Sequence, residues 1–227
     1  MRIPIVIALD PPLGVDVVKW SLDIVSETSD LVVGYKIGLP LVLRVGDRVV
    51  EITRAMKESE LVVADLKLAD IGDIMALVAD QLAEMGFNAI ISHAFIGWSK
   101  GLETLANKAF EKSLKLITVL SMSHPGSSEV IDKNYEKLLE ITLRARAWGC
   151  VIGANKEELI RKTKGKAREN GLDLKVLSPG IGFQGIPPAT AIRAGADYEI
   201  IGRLITCSSK PRDKLFELMR NYYGVKS

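Results

Sequence analysis

The sequence predicts a single (β/α)8 barrel domain over residues 1–227, and three observations support this fold class. Short β-branched runs alternate with longer amphipathic stretches along the whole chain, which is typical of parallel strands joined by crossover helices. The strand candidates are nearly all apolar, as expected when both faces of a strand are covered. Eight strand–helix pairs in 227 residues favour a closed barrel, with a doubly wound open sheet as the alternative.

The elements follow one another without a linker or a low-complexity tract, which favours one domain. The first predicted strand is the apolar run that ends at Asp10, and each later strand is followed by one amphipathic stretch. The predicted strands are residues 3–9, 31–37, 61–67, 89–92, 115–120, 150–153, 174–178 and 198–202. The predicted helices are residues 15–26, 41–57, 73–85, 101–112, 135–147, 156–170, 188–194 and 213–222.

Composition and charge exclude several classes of partner. The chain is 48% hydrophobic and 26% charged, and its net charge of +2 gives no reason to expect nucleic acid or an acidic membrane.

Residues 1–10 contain only a short apolar run, so we expect neither a signal peptide nor a membrane span there. Cys150 and Cys207 lie in or beside apolar runs. We therefore expect no disulfide framework and a reducing, cytoplasmic location.

Charged residues gather where the first three predicted strands end. Asp10 follows the first strand, Lys36 lies near the end of the second, and Asp65 and Lys67 end the third, with Asp70 just beyond. Side chains two residues apart on a strand share a face, so Asp65 and Lys67 are expected to project the same way. A structural ion pair at the barrel rim would also explain such charges. Because the catalytic residues of these barrels lie at the carboxyl ends of strands, the distribution favours an active site.

A second motif is the glycine-rich turn 179–185, which contains Pro179 and Gln184 and is followed one strand later by Gly202 and Arg203. Glycines let backbone N–H groups approach an anion, and an arginine can bind a phosphate with two hydrogen bonds. The loops after strands seven and eight are the recurrent phosphate site of (β/α)8 barrels. An ordinary tight turn with a surface arginine is the alternative, but the coincidence of both loops favours phosphate binding.

A third motif is Ser123-His124-Pro125-Gly126, after the fifth predicted strand. The hydroxyl of Ser123 could hydrogen-bond a polar ring. A loop with a proline at a helix start explains the same residues equally well.

No motif predicts a metal or an organic cofactor. The chain has only two histidines, and no His/Cys cluster has metal-ligand spacing. It contains neither a Walker A loop nor a dinucleotide-binding fingerprint at the first turn. We therefore expect no cofactor.

Together these motifs resemble the orotidine 5′-monophosphate decarboxylase family, most closely its short archaeal type. The pattern Asp65-x-Lys67-x-x-Asp70-Ile71 is highly specific for the suprafamily, and the other motifs match in order over essentially the whole chain. The resemblance implies decarboxylation of orotidine 5′-monophosphate to uridine 5′-monophosphate, the last step of de novo pyrimidine nucleotide synthesis, without metal or cofactor.

The resemblance also implies residue roles. Asp65 would sit beside the substrate carboxylate, and Lys67 would protonate C6 of the pyrimidine. Asp70 and Ile71 would reach into the site of the partner subunit in an obligate homodimer. Asp10 and Lys36 would complete the charge network and contact the ribose, and Ser123 would contact the pyrimidine. The 5′-phosphate would be bound by three residues: Gln184, Gly202 and Arg203. The site would also include Pro179, and the 182–188 loop would close over it as a lid.

One position departs from the family pattern. A threonine usually stands four residues after the second aspartate, where it can contact the ribose, and here that position is Ile74. The departure affects the expected ribose contacts more than the reaction.

Three alternatives stay open. The first is a magnesium-dependent hexulose-phosphate synthase or keto-gulonate-phosphate decarboxylase of the same suprafamily, although these typically carry a glutamate near the end of strand two, where this chain has Lys36. The second is a Schiff-base aldolase, although flanking carboxylates are expected to keep Lys67 protonated and such a nucleophile must be neutral. The third is a non-catalytic barrel that binds a phosphate ligand, for which the array around Lys67 would be unnecessary.

Overall fold

The computed structural model describes residues 2–223 and contains a closed barrel of eight parallel strands in sequence order, which confirms the predicted fold class. Pairing of β1 with β8 closes the barrel. The strands are β1 (Ile3–Leu9), β2 (Val32–Gly38), β3 (Leu61–Leu68), β4 (Ala89–His93), β5 (Lys115–Val119), β6 (Gly149–Val151), β7 (Lys175–Pro179) and β8 (Tyr198–Ile201).

Helices surround the barrel and connect its strands. They are α1 (Val17–Thr28), α2 (Leu39–Val45), α3 (Val49–Ala55), α4 (Gly72–Glu84), α5 (Glu103–Glu111), α6 (Tyr135–Arg144), α7 (Glu157–Glu169), α8 (Thr190–Ala194), α9 (Arg203–Thr206) and α10 (Pro211–Tyr223). Short 3₁₀ or π turns lie in three of the connections. No helix among residues 2–223 is both long enough and apolar enough to cross a membrane.

The observed helices differ from the predicted ones in two places. The single helix predicted over residues 41–57 is divided into α2 and α3, because Gly46 has a φ of +53° that a right-handed helix cannot accommodate. The four-residue helix α9 was not predicted, because one turn of helix is too short to show a periodic pattern.

Strand alternation separates two apolar layers. Val6 and Ala8 of β1 point into the barrel, whereas Ile5, Ile7 and Leu9 pack against the surrounding helices. Among residues 2–223, the buried members of the inner layer are strand residues, one or two from each strand. Burial on both sides explains why the strand sequences are nearly continuous apolar runs.

Close contact between β2 and β3 fixes the position of the charged residues. A Cβ added to Gly34 would lie 2.0 Å from the carbonyl oxygen of Leu61, so only glycine allows this approach. The resulting register pairs Lys36 with Val63 and Gly38 with Asp65. Lys36 and Asp65 therefore reach the same end of the barrel on neighbouring strands.

Candidate active site

A cavity of about 240 Å³ opens at the carboxyl end of the barrel. Nine of the eleven residues predicted for the site line it, and they come from six different strand ends. These nine are Asp10, Lys36, Asp65, Lys67, Ser123, Pro179, Gln184, Gly202 and Arg203. The cavity thus combines the predicted charge cluster with the predicted phosphate loops.

The charged residues continue the inward-facing rows of the barrel. Leu61 and Val63 of β3 point inward, and Asp65 is the next residue of that row. Its carboxylate is buried, with a side-chain exposure of 7%. Barrel alternation therefore aims the carboxylate at the cavity, where it needs partners to offset lost hydration.

Two lysines provide those partners. The Asp65 Oδ2 atom lies 2.9 Å from the Lys36 Nζ atom, and Lys67 Nζ donates to Asp65 Oδ1 at 2.8 Å. Burial alone would raise the pKa of Asp65, but the two ammonium groups outweigh it and lower the pKa below its usual value. Asp65 is therefore a carboxylate held between two ammonium groups.

The backbone turns sharply at Lys67, whose φ of +46° is unusual for a residue other than glycine. The pairing of β3 with β4 is irregular between Ala64 and Leu68, and the buried Ser92 hydroxyl donates to the Leu68 carbonyl at 2.8 Å. Lys67 therefore lies at a strained end of β3, which a hydrogen bond from β4 holds in place, and its side chain extends into the cavity. Its side chain is 37% exposed, so the ammonium group is accessible from the cavity.

Asp10 and Asp70 stand apart from this ion-paired triplet. Among residues 2–223 the ion pairs of Lys36 and Lys67 both go to Asp65, so Asp10 is not an ion-pair partner in the charge network that the resemblance implies. Asp10 is exposed and lines the cavity beside Gly38. Asp70 is also exposed, accepts a hydrogen bond from the Ile71 N–H group at 2.7 Å, and lies outside the cavity with Ile71.

The glycine-rich turn and α9 form the opposite wall. Gly182 has a φ of +76°, and a Cβ there would lie 2.6 Å from Leu204 of α9, so this loop packs tightly against α9. The Arg203 guanidinium stacks over the Phe183 ring, 3.3 Å from its centroid. Gln184 and Arg203 are both exposed side chains that line the cavity.

A buried carboxylate holds the base of this loop. Glu199 of β8 accepts hydrogen bonds from the N–H groups of Ala189 and Ala191, each at 2.9 Å, and from the Tyr222 hydroxyl. Burial, together with the contact with Glu199, raises the pKa of Tyr222. Glu199 therefore ties the residues after the 182–188 loop to β8 and α10.

Ser123 lies in a narrow gap between two glycines. A Cβ on Gly153 would lie 2.9 Å from the Ser123 Cα atom, and one on Gly180 would lie 3.1 Å from the Ser123 Cβ atom. Pro125 begins a short 3₁₀ helix, Pro125–Glu129, so the proline has the helix-start position that the sequence allowed. Ser123 nevertheless also faces the cavity.

Sequence reasoning missed the apolar part of the cavity and the groups that support its rim. Ile91, Val151 and Ile200 line the cavity from strands, and the alternation of strand residues was the signal that could have found them. Met122 also lines the cavity but lies in the connection after β5. No sequence pattern indicated that Ser92 supports the end of β3.

Among residues 2–223, no group of three or more His, Cys, Asp or Glu side chains is arranged to hold a metal ion.

Comparison with known proteins gives the family. Residues 4–217 match the Orotidine 5′-phosphate decarboxylase / HUMPS family. The chain belongs to this family. An orotidine 5′-phosphate decarboxylase of Aeropyrum pernix is 41% identical over 209 residues, which cover 91% of this chain and 83% of the relative.

Solved structures of orotidine 5′-monophosphate decarboxylases share the fold. The Sulfolobus solfataricus enzyme has a TM-score of 0.85 and 30% identity, with 98% of this chain and 99% of the other covered. The Methanocaldococcus jannaschii enzyme, complexed with the inhibitor BMP, has a TM-score of 0.85 and 27% identity, with coverages of 98% and 100%. Family membership confirms the resemblance drawn from the sequence motifs.

Proposed function

We propose that this chain decarboxylates orotidine 5′-monophosphate to uridine 5′-monophosphate without a metal or cofactor. One observation carries the proposal: the Lys36–Asp65–Lys67 triplet faces the same cavity as Gln184 and Arg203. The family and the names of its relatives support the same reaction. A cavity with fixed charges on one wall and phosphate-binding groups on the other suits a substrate that carries a carboxylate and a phosphate.

In the proposed reaction, the bond between C6 and the carboxylate carbon breaks and its electron pair stays on C6. Carbon dioxide leaves, the Lys67 ammonium group transfers a proton to C6, and the lysine regains a proton from solvent. A preplaced ammonium group stabilises the developing negative charge because its charge is oriented before the reaction begins. Asp65, beside the leaving carboxylate, would orient the Lys67 ammonium group through their 2.8 Å hydrogen bond.

The phosphate would bind on the opposite wall, through Arg203, Gln184 and the backbone of Gly202. The guanidinium of Arg203 is exposed and stacks on Phe183, and within residues 2–223 it forms no ion pair with a carboxylate, which leaves its donors available to an anion. Phosphate binding is remote from C6, so its free energy can close the 182–188 loop and organise the charges.

The remaining cavity residues would orient the nucleoside. Asp10 and Lys36 would contact the ribose, whereas Ser123 would contact the amide edge of the pyrimidine beside Pro179. The gap that holds Ser123 between Gly153 and Gly180 supports this assignment, because it limits the movement of the serine.

We also propose a homodimer in which Asp70 and Ile71 complete the partner's site. Both residues lie outside the cavity of their own chain, which supports a role elsewhere. Ile71, Ile74 and Leu77 are exposed by 65%, 43% and 61%, and their three-residue spacing puts them on one side of α4. An exposed apolar side of this kind marks an interface.

We further propose a cytoplasmic location. Cys150 and Cys207 are both free, and a reducing compartment keeps cysteines in this form.

The proposed function is tested by following the loss of ultraviolet absorbance of orotidine 5′-monophosphate with purified protein in excess EDTA. Conversion to uridine 5′-monophosphate at a rate proportional to protein concentration is expected. No conversion by folded, dimeric protein would overturn the proposal. Activity only on sugar phosphates with added magnesium would instead assign the chain to the metal-dependent branch of its family.

A further inference from the structure

A hydrogen-bonded cluster outside the cavity surrounds Asp132, in the connection between β5 and α6. The Asp132 Oδ1 atom accepts from the hydroxyls of Ser121 and Ser127, both at 2.7 Å. Its Oδ2 atom accepts from the Ser128 hydroxyl at 3.0 Å and lies 3.0 Å from the Lys156 ammonium group. Four donors therefore converge on one carboxylate that has no contact with the cavity.

The charge of this carboxylate is strongly stabilised. Partial burial would raise the pKa of Asp132, but the hydrogen bonds from the serines and Lys156 lower it to about 2. The Asp132 carboxylate is therefore charged at neutral pH, and the charge-assisted hydrogen bonds that it accepts are stronger than those between neutral groups.

The cluster reaches the cavity through the backbone after β5. The Met122 N–H group donates to the Ser127 hydroxyl at 2.9 Å, and that hydroxyl donates in turn to Asp132. Met122 lines the cavity and directly precedes Ser123. Asp132 thus fixes the peptide that leads into Ser123.

Residues in the connection after β6 also form hydrogen bonds to the segment that contains Ser123 and Asp132. Lys156 links Asp132 with the Ser128 hydroxyl, to which its Nζ atom donates at 2.8 Å. The Asn155 side-chain amide donates to the Ser123 carbonyl at 3.4 Å. Ser123 is therefore held between two strand-end connections that Asp132 joins.

We propose that Asp132 is a positioning residue that holds Ser123 in the cavity through Ser127 and the Met122 backbone. The proposal rests on the proposed function, because Ser123 is assigned there to the pyrimidine. Supporting hydrogen bonds of this kind decide how precisely a site residue is placed. Displacement by about 1 Å at a site can lower the rate by roughly 100-fold.

The test is a double-mutant cycle between Asp132→Ala and Ser123→Ala, read as kcat/KM for orotidine 5′-monophosphate and as the Kd for uridine 5′-monophosphate by calorimetry. We expect Asp132→Ala to lower kcat/KM by about 10- to 100-fold and to weaken nucleotide binding. In the Ser123→Ala background the same change should cost less than about threefold, because the residue through which it acts is gone.

Two further variants separate positioning from general stability. Asp132→Asn keeps an oxygen that can accept from Ser121 and Ser127, so it should retain most of the activity. Asp173→Ala removes another lysine-paired aspartate, at the amino end of β7, and should leave both readouts unchanged. If Asp132→Ala does not fold, Ser127→Ala carries the same cycle, because it removes the hydroxyl that joins Asp132 to Met122 and leaves the contacts of Asp132 with Ser121, Ser128 and Lys156 in place.

Equal losses with and without the Ser123 hydroxyl would overturn the proposal, as would a lower Tm with unchanged kcat/KM and Kd. If the unmodified protein binds nucleotide without decarboxylating its substrate, the proposed function fails separately. The Kd cycle then still decides the role of Asp132.

Discussion

Lys67 donates a hydrogen bond to Asp65 across 2.8 Å although only one residue separates the two along β3. The left-handed backbone at Lys67, with φ of +46°, interrupts the regular strand at this point. Such strain costs about 1–3 kcal/mol and persists only where the surrounding structure imposes it. We interpret the strain as part of the site, because it holds an ammonium group beside a buried carboxylate within the cavity.

The Asp65 carboxylate should stabilise the fold at neutral pH. Asp65→Asn leaves Lys36 and Lys67 without their shared counter-charge. We expect a loss of about 2 kcal/mol, below the roughly 3–5 kcal/mol of a fully buried pair because Lys67 is partly exposed. Unfolding by denaturant at pH 7 measures this difference. Asp173→Asn, which changes an exposed aspartate paired with Lys175 at the other end of the barrel, should change little.

This difference should depend on pH. The pKa of Asp65 is lowered in the folded state, so its stabilisation is present above the unfolded-state pKa of about 4 and is lost as the pH falls through the lowered value. The free-energy difference between the unmodified protein and Asp65→Asn should therefore shrink below about pH 4. A difference that grows under acidic conditions would contradict the assigned direction.

We expect Arg203 to contribute to phosphate affinity and not to the stability of the fold. Arg203→Ala removes an exposed guanidinium whose hydrogen bonds to a dianion are worth about 1.5–3 kcal/mol, equivalent to roughly 10- to 100-fold in Kd. The affinity for uridine 5′-monophosphate should fall by that factor, while the weak affinity for uridine should not change. Arg193→Ala, an exposed arginine on α8, is the matched control. Equal losses for nucleotide and nucleoside would argue against a phosphate contact.

Gly182 and Gly185 offer a matched pair within the proposed lid. Both have positive φ, +76° and +88°, but only a Cβ on Gly182 would meet Leu204, whereas one on Gly185 would meet nothing within 4 Å. Alanine at either position strains the backbone similarly. Gly182→Ala should therefore weaken uridine 5′-monophosphate binding more than Gly185→Ala does. Calorimetry on both variants checks this order, and the reverse order would show that packing against Leu204 does not matter.

Shared active sites predict complementation between inactive variants. Lys67→Ala and Asp70→Ala proteins, mixed and allowed to exchange subunits, should regain up to about one quarter of the activity, because half of the dimers are mixed and each has one intact site. A mixture of Lys67→Ala with Asp65→Ala should stay inactive, since both residues serve the same site. No recovery after demonstrated exchange would contradict shared sites.

The sequence predicted the barrel, and nine of the residues that it predicts for the site line one cavity, for a simple physical reason. Strand alternation and the position of polar residues at strand ends are local patterns, and they brought nine of the predicted residues to one cavity. The prediction that residues 1–227 form a single domain stays a prediction.

What the sequence could not predict depends on conformation or on contacts between distant segments. The turn at Gly46, which divides the predicted helix, and the left-handed backbone at Lys67 are not visible in a hydrophobic pattern. The links from Asp132 to Met122 arise from loop geometry, which sequence spacing does not determine. Asp70 lies outside its own chain's cavity, so a single chain cannot reveal its role.

The most direct test of the central claim is the turnover of Lys67→Ala, measured beside its Kd for uridine 5′-monophosphate. Loss of the proposed proton donor should lower kcat at least 100- to 10,000-fold, the usual contribution of general acid catalysis, while nucleotide binding persists. Lys137→Ala, an exposed lysine on α6, should match the unmodified protein. Turnover of Lys67→Ala near that of the unmodified protein would contradict the assignment of Lys67 as the group that protonates C6.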